Sequence, residues 1–273
     1  MTLDLEILIG LITGILAYSM LYLGKGIQKY AIEGYKDDNK IKVKSRNTGW
    51  WIFGTLLTAT NMFVHWFALL YAPINIVAPL EGIGLVVLII FSYYVLKEKI
   101  SKIQISGVFC IIFGTFLITF FNTNTGDIEY GDFNSIAFII FSFILLISEF
   151  TIAFISKFKS KKLHGISLGI IAGTFMAIQT LTKRITGIPD PILILIFSLI
   201  TFLMSILTLL FTQIAFSKAN ANLVVPLFTS MSIILAILGG VLILNESLVI
   251  LQYPGILIVI FGVIMLTGLG KKE

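Results

Sequence analysis

The chain has 273 residues, of which 58% are hydrophobic and only 12% charged, and its mean hydropathy is +1.03. That balance is far more apolar than a soluble domain of this length folds with, so lipid must be its solvent. In lipid every backbone N–H and C=O has to be satisfied internally. Apolar runs of about 20 residues without period-2 alternation exclude a β-barrel and leave helices. The expected fold class is all-α, a polytopic membrane protein with one membrane domain over residues 1–273.

In chain order, nine segments are long and apolar enough to cross a bilayer: residues 7–28, 50–72, 74–96, 105–121, 136–156, 165–182, 192–216, 223–244 and 250–269. The first lacks a basic leader and a small-residue cleavage site, so it reads as a retained helix. Only residues 32–47 read as a real polar loop. Lys36, Lys40, Lys42, Lys44 and Arg46 follow the first span, Lys97, Lys99 and Lys102 the third, and Lys157, Lys159, Lys161 and Lys162 the fifth. Lys271 and Lys272 end the chain, whereas the connection after the fourth span carries Asp127, Glu129 and Asp132. The positive-inside rule then places the N-terminus outside the cytoplasmic membrane and the C-terminus in the cytoplasm. The net charge of +5 is thereby a topology signal, and no nucleic-acid partner is expected. Lys183 and Arg184 are the misfit, because they fall at the outward end of the sixth span, where they snorkel or line a cavity. The single cysteine, Cys110, lies in an apolar run, so no disulfide or Cys metal motif arises, and no cofactor is expected.

An internal repeat organises these spans. Gly10 and Gly14 in the first span match Gly169 and Gly173 in the sixth. Residues 72–80, with Asn75 and Pro79, line up with 219–227, with Asn222 and Pro226. The register continues through Glu98 and Glu246, Gly107 and Gly255, and Phe113-Gly114 and Phe261-Gly262. The expected plan is a first four-helix repeat over residues 1–122, a linker helix over 136–156, and a second repeat over 164–273, inverted by the odd linker. Inverted repeats are secondary-transporter architecture, with the solute site near the midplane.

The stretch 50–117 has a Trp50-Trp51 start, a Tyr71-Ala72-Pro73 turn, Val77-Ala78-Pro79-Leu80, the helix end Ser92-Tyr93-Tyr94-Val95-Leu96-Lys97-Glu98-Lys99, and a helix from Gly107 to Gly114. It resembles the drug/metabolite transporter superfamily, and looks closest to the NIPA-type magnesium transporters and their nine-helix plan. The second half, around Phe216-Ser217-Lys218-Ala219, looks more like the general EamA-type metabolite transporters. Each four-helix unit is similar in plan to a small multidrug resistance protein. The resemblance implies a carrier of a small polar solute by alternating access. Its alternative is a NIPA-type pathway for Mg2+, although Asn61 and Met62 stand near where that pattern has an acidic residue. A membrane enzyme and a non-transporting assembly factor are rival classes with no motif in their favour. The Gly-x-Ser-x-Gly match at residues 165–169 reads as accidental, since Ser167 opens a membrane helix rather than a strand-to-helix elbow.

Ionisable groups inside spans are functional candidates by default. Glu81 lies about seven residues, roughly 10 Å, below the outer end of the third span, with Gly82 and Gly84 following where the helix could bend. His65 lies at similar depth on the second span and Asn61 one turn deeper on the same face, so the three are expected to converge. Glu81 and His65 then read as a proton-coupling pair, and Glu81 as the Mg2+ ligand on the alternative reading. Asn75 and Asn222 rank second, because their place beside the prolines suggests helix capping. Gln179 and Gln213 are expected to supply a polar half-site from the second unit. Gly10, Gly14, Gly169, Gly173, Pro79 and Pro226 are read as packing and hinge positions. Glu149 reads as structurally paired, and Lys25 and Lys218 as reaching the cytoplasmic interface by extending their stems. The partners expected are an ion or small-molecule substrate, the lipid bilayer and a possible second copy of the chain.

Overall fold

The computed structural model describes residues 5–37, 41–95, 97, 100–123, 128–219 and 221–267, with side chains described except at 29, 32–37, 41–46, 216–217, 221–223, 225–226 and 266–267. The described residues form helices α1 (Leu5–Asp37), α2 (Ile41–Tyr71), α3 (Ile74–Val77), α4 (Glu81–Tyr94), α5 (Lys102–Phe120), α6 (Ser135–Lys159), α7 (Lys161–Ile185), α8 (Pro191–Lys218), α9 (Ala221–Leu244) and α10 (Gln252–Thr267). Among the described residues, eight stretches are long and apolar enough to cross a membrane. The last helix, α10, is equally apolar over 16 residues, about 24 Å at 1.5 Å per residue.

Residues 32–37 and 41–47, the described part of the expected polar loop, are helical. α1 runs on to Asp37 and α2 already begins at Ile41. Hydropathy marks where lipid ends, and the charged residues beyond that point are good helix formers, so the helices continue into water. The third span is also not one helix. α3 is followed by a 3-10 turn, Ala78–Leu80, and α4 starts at Glu81. Pro79 has no N–H and sits at the start of that tighter turn. Gly82 and Gly84 lie inside α4, which is continuous from Glu81 to Tyr94. A Cβ on Gly84 would collide with the Tyr22 ring and stand 2.8 Å from the Tyr18 carbonyl, and one on Gly82 would stand 3.0 Å from Ile111. Both glycines serve close packing, against α1 and α5. Pro226, the sequence counterpart of Pro79, causes no such break, because α9 is continuous from Ala221 to Leu244.

α7 is the central helix, its core window 89% buried, while α6 and α8 turn most of their surface outward at 17% each. α1 packs on α2 and α4, α7 on α8 and α9, and α5 on α10. The glycines permit these approaches. Gly10 faces Ala72 and Gly14 faces Leu80 and Val77, while Gly165 faces Ala219, Gly169 faces Val224 and Gly173 lies against the Phe228 carbonyl.

A Cβ on Gly114 would stand 2.7 Å from the Gly255 carbonyl oxygen and 2.9 Å from the Val259 nitrogen, both backbone atoms that cannot yield cheaply. Gly114→Ala is expected to lower stability by about 1–3 kcal/mol, read as earlier loss of monodisperse protein on heating in detergent. Gly49→Ala, where nothing lies within 4 Å, is expected to leave the midpoint unchanged.

Candidate functional site

Glu81 is the first residue of α4 and only 1% exposed. Its Oε1 accepts from the Tyr22 hydroxyl of α1 at 3.1 Å, and its Oε2 from the Ser232 hydroxyl of α9. Tyr22 has spent its only proton on Glu81, so the Thr229 hydroxyl, 3.2 Å away, donates to the Tyr22 oxygen. The Ser232 hydroxyl also lies 3.1 Å from the Thr229 carbonyl. Lys25 does not extend to the cytoplasmic interface. Its Nζ turns inward over the rings of Tyr22 at 4.6 Å and Phe228 at 5.1 Å, within electrostatic reach of Glu81. The result is a carboxylate bonded to two hydroxyls, backed by a third through Tyr22 and faced by an ammonium, drawn from α1, α4 and α9.

His65 does not meet Glu81. Its Nδ1 lies 3.1 Å from the Lys183 Nζ of α7, and its Nε2 lies 3.1 Å from the Tyr18 hydroxyl of α1. Tyr18 and His65 also pack ring to ring, with centroids 4.9 Å apart. The expected convergence of Asn61, His65 and Glu81 is replaced by two clusters, because α1 lies between them and interposes Tyr18 and Tyr22. Those two residues are one turn apart on one face of α1. Asn61 is buried on α2 with its Oδ1 unpartnered.

At the end of the bundle formed by the C-terminus of α7, Arg184 neither snorkels nor reaches water, being 2% exposed. Its Nη1 donates to the Leu69 carbonyl at 2.9 Å, and its Nε lies 3.4 Å from Glu246 Oε1. Glu246 in turn accepts the backbone N–H groups of Ile74 at 2.9 Å and Asn75 at 3.2 Å, the first amides of α3. This carboxylate, and not an asparagine side chain, caps the broken span, which corrects the capping role expected for Asn75. The Asn75 amide instead points to the Asn122 Oδ1 at 3.5 Å. The side chains of Asn222 and Pro226, and all of Glu98, lie outside the described residues.

The second-half glutamines join neither cluster. Gln213 is exposed on the outward face of α8, since α8 packs inward through its opposite side. Gln179 is buried on α7 one turn before Lys183, with no side-chain hydrogen bond to Glu81 or His65. Glu149 accepts from Thr174 at 2.7 Å, the structural pairing expected between α6 and α7. Ser167 donates to the Leu163 carbonyl of its own helix at 3.0 Å, and no histidine stands on it as a base. Sequence reasoning missed Tyr18, Tyr22, Thr229 and Ser232, hydroxyls common in any apolar helix. The one sequence signal for Lys183 and Arg184 was their violation of the charge rule.

Removing one partner of a buried ion pair leaves the other charge uncompensated, at a cost of about 3–5 kcal/mol. Glu246→Ala is accordingly expected to destabilise the chain strongly, while Gln213→Ala leaves it unchanged, both checked by thermal melting of purified protein in detergent. Among the described residues no group of three or more His, Cys, Asp or Glu side chains is placed to hold a metal ion. No curated protein and no solved structure matches the chain. A protein-family model described as "Magnesium transporter NIPA" matches residues 7–269. Matched over nearly its whole length, a chain of membrane helices around a buried carboxylate, the protein belongs to the NIPA magnesium transporter family, within the drug/metabolite transporter superfamily.

Proposed function

We propose that the protein carries a small polar solute by alternating access between two inverted four-helix halves, with Glu81, Tyr22, Thr229 and Ser232 as the midplane site. The observation that carries this is the Glu81 carboxylate itself, a buried group on a broken helix bonded to hydroxyls from both halves. A site held by both halves is remade whenever they move.

The inverted arrangement, with nine spans, draws support from α5 and α10. Gly107 and Gly255 are sequence counterparts, as are Gly114 and Gly262, yet the contacts run from Gly107 to Gly262 and from Gly114 to Gly255. Each residue touches the counterpart of the other, which is the signature of a two-fold relation. Rising numbers on α5 meet falling numbers on α10, so these equivalent helices are antiparallel and the two-fold lies across them, in the membrane plane. The only non-glycine residues with positive φ among those described, Lys97 at 57° and Asn245 at 53°, stand immediately before the aligned Glu98 and Glu246. An N-terminus outside the cytoplasmic membrane and a C-terminus within it draw support from the basic connections.

A second reading, in which Mg2+ is the solute, rests on the family and on the all-oxygen donor set at Glu81. Mg2+ keeps several waters and takes one or two carboxylates, which a single Glu81 with the hydroxyls of Tyr22 and Ser232 suits. Lys25 must then swing away from the site as the cation arrives.

Proteoliposomes separate the readings. Mg2+ as solute predicts saturable Mg2+ uptake that falls tenfold or more in Glu81→Gln while the variant still folds. Uptake unchanged in Glu81→Gln overturns the site. Absence of Mg2+ uptake in the wild type, with thermal stabilisation by a polar organic solute that Glu81→Gln abolishes, selects the first reading.

A further inference from the structure

We infer that Lys183 and His65 together form a binding site for one exchangeable proton, separate from the solute site and coupled to transport; the coupling rests on the carrier reading above. Nζ of Lys183 and Nδ1 of His65 are 3.1 Å apart, and both residues are 1% exposed. Two basic groups at that distance, out of water, cannot both carry charge. No carboxylate stands on Lys183 among the described residues, and its neighbour Arg184 is turned to Glu246. The pair therefore holds at most one exchangeable proton. On Lys183 that proton is donated to Nδ1, and on His65 it is donated from Nδ1 back to the amine.

In both states the histidine keeps a hydrogen on Nε2, which donates to the Tyr18 oxygen at 3.1 Å. The titratable and charged groups around the pair are Tyr18 from α1, His65 from α2 and Lys183 with Arg184 from α7. Beyond Tyr18, Glu81 of α4 acts on that hydroxyl through space. Tyr18 and Tyr22 thus stand between the proton site and the solute site. The pair also joins α2 to α7, so the one proton it holds bridges the two helices and its loss weakens that bridge. A purely structural contact between two helices has no use for a lysine whose three donors find one acceptor.

The test is 15N-histidine NMR of the full chain in lipid nanodiscs. The chain has two histidines, and His164→Gln leaves His65 as the remaining ring signal. The expected result is the Nε2–H tautomer near neutral pH, with a titration that Lys183→Met displaces tenfold or more in proton concentration. A titration unmoved by Lys183→Met overturns the proposal. So does an Nδ1–H tautomer in the unsubstituted chain, which needs no folded variant. Coupling is read with Lys183→Arg, whose charge does not leave. Mg2+ exchange at equilibrium stays within twofold of wild type while uptake driven by a pH gradient is lost. Gradient-driven uptake at the wild-type rate sinks the coupling role. Because the NMR arm needs no cargo, a chain that carries no Mg2+ counts against that cargo and not against the proton site.

Discussion

Buried polar groups without water must find their partners inside the protein, and the Glu81 carboxylate is where that constraint shapes this bundle most. A lone carboxylate in lipid costs several kcal/mol. The chain answers by bringing Tyr22 from α1 and Ser232 from α9 onto its two oxygens. Those bonds draw α1 and α9 against the start of α4. The 3-10 turn that contains Pro79 comes immediately before Glu81, so the carboxylate stands on the first residue of α4. The glycines follow from the same demand, since Gly84 must admit Tyr18 and Tyr22 before Tyr22 can reach Glu81.

Charge is distributed along the interior with a purpose of its own. The Arg184 and Glu246 pair is neutral overall and ties the ends of α2 and α7 to the start of α3. Its carboxylate also complements the partial positive charge of the α3 amides. Lys183, one residue earlier, has no such compensation and faces a histidine. Adjacent basic residues on one helix end thus have different work: one guanidinium closes a structural clamp, and one amine faces a partner able to share its proton. Arginine suits the first because it cannot lose its proton, and lysine suits the second because it can.

Much of the architecture was legible in the chain. Long apolar runs with few charges dictate membrane helices, and repeated glycines and prolines mark where helices approach. Glu81 was legible because an acid in a span is costly. What the sequence withheld were the choices that depend on rotation about a helix axis. His65 and Asn61 share a face with each other, but whether that face meets α4 or α7 is decided by the neighbours of α2. Gln213 lies in an apolar span as Gln179 does, yet the rotation of α8 turns it outward. Lys25 sits near a span end, where its stem could extend either way, and the rings of Tyr22 and Phe228 draw it inward. The helical extensions over 32–37 and 41–47 were hidden because hydropathy reports the solvent and not the backbone.

The bonds that close the Glu81 site also set a condition on the proposed cycle. For the halves to separate around it, Ser232 and Thr229 of α9 must leave Glu81 and Tyr22, stranding a carboxylate that has lost one donor. A solute that supplies a donor or a positive charge replaces what Ser232 withdraws. Without it, separation exposes an unmade bond in a place where water is scarce. Lys25, held over Tyr22 and Phe228, is placed to act in the proposed cycle as the internal substitute: on Glu81 it would satisfy the empty carrier, and on leaving it would make room for a cation. In that cycle, competition between Lys25 and the incoming solute for one carboxylate is what would tie the rearrangement to binding.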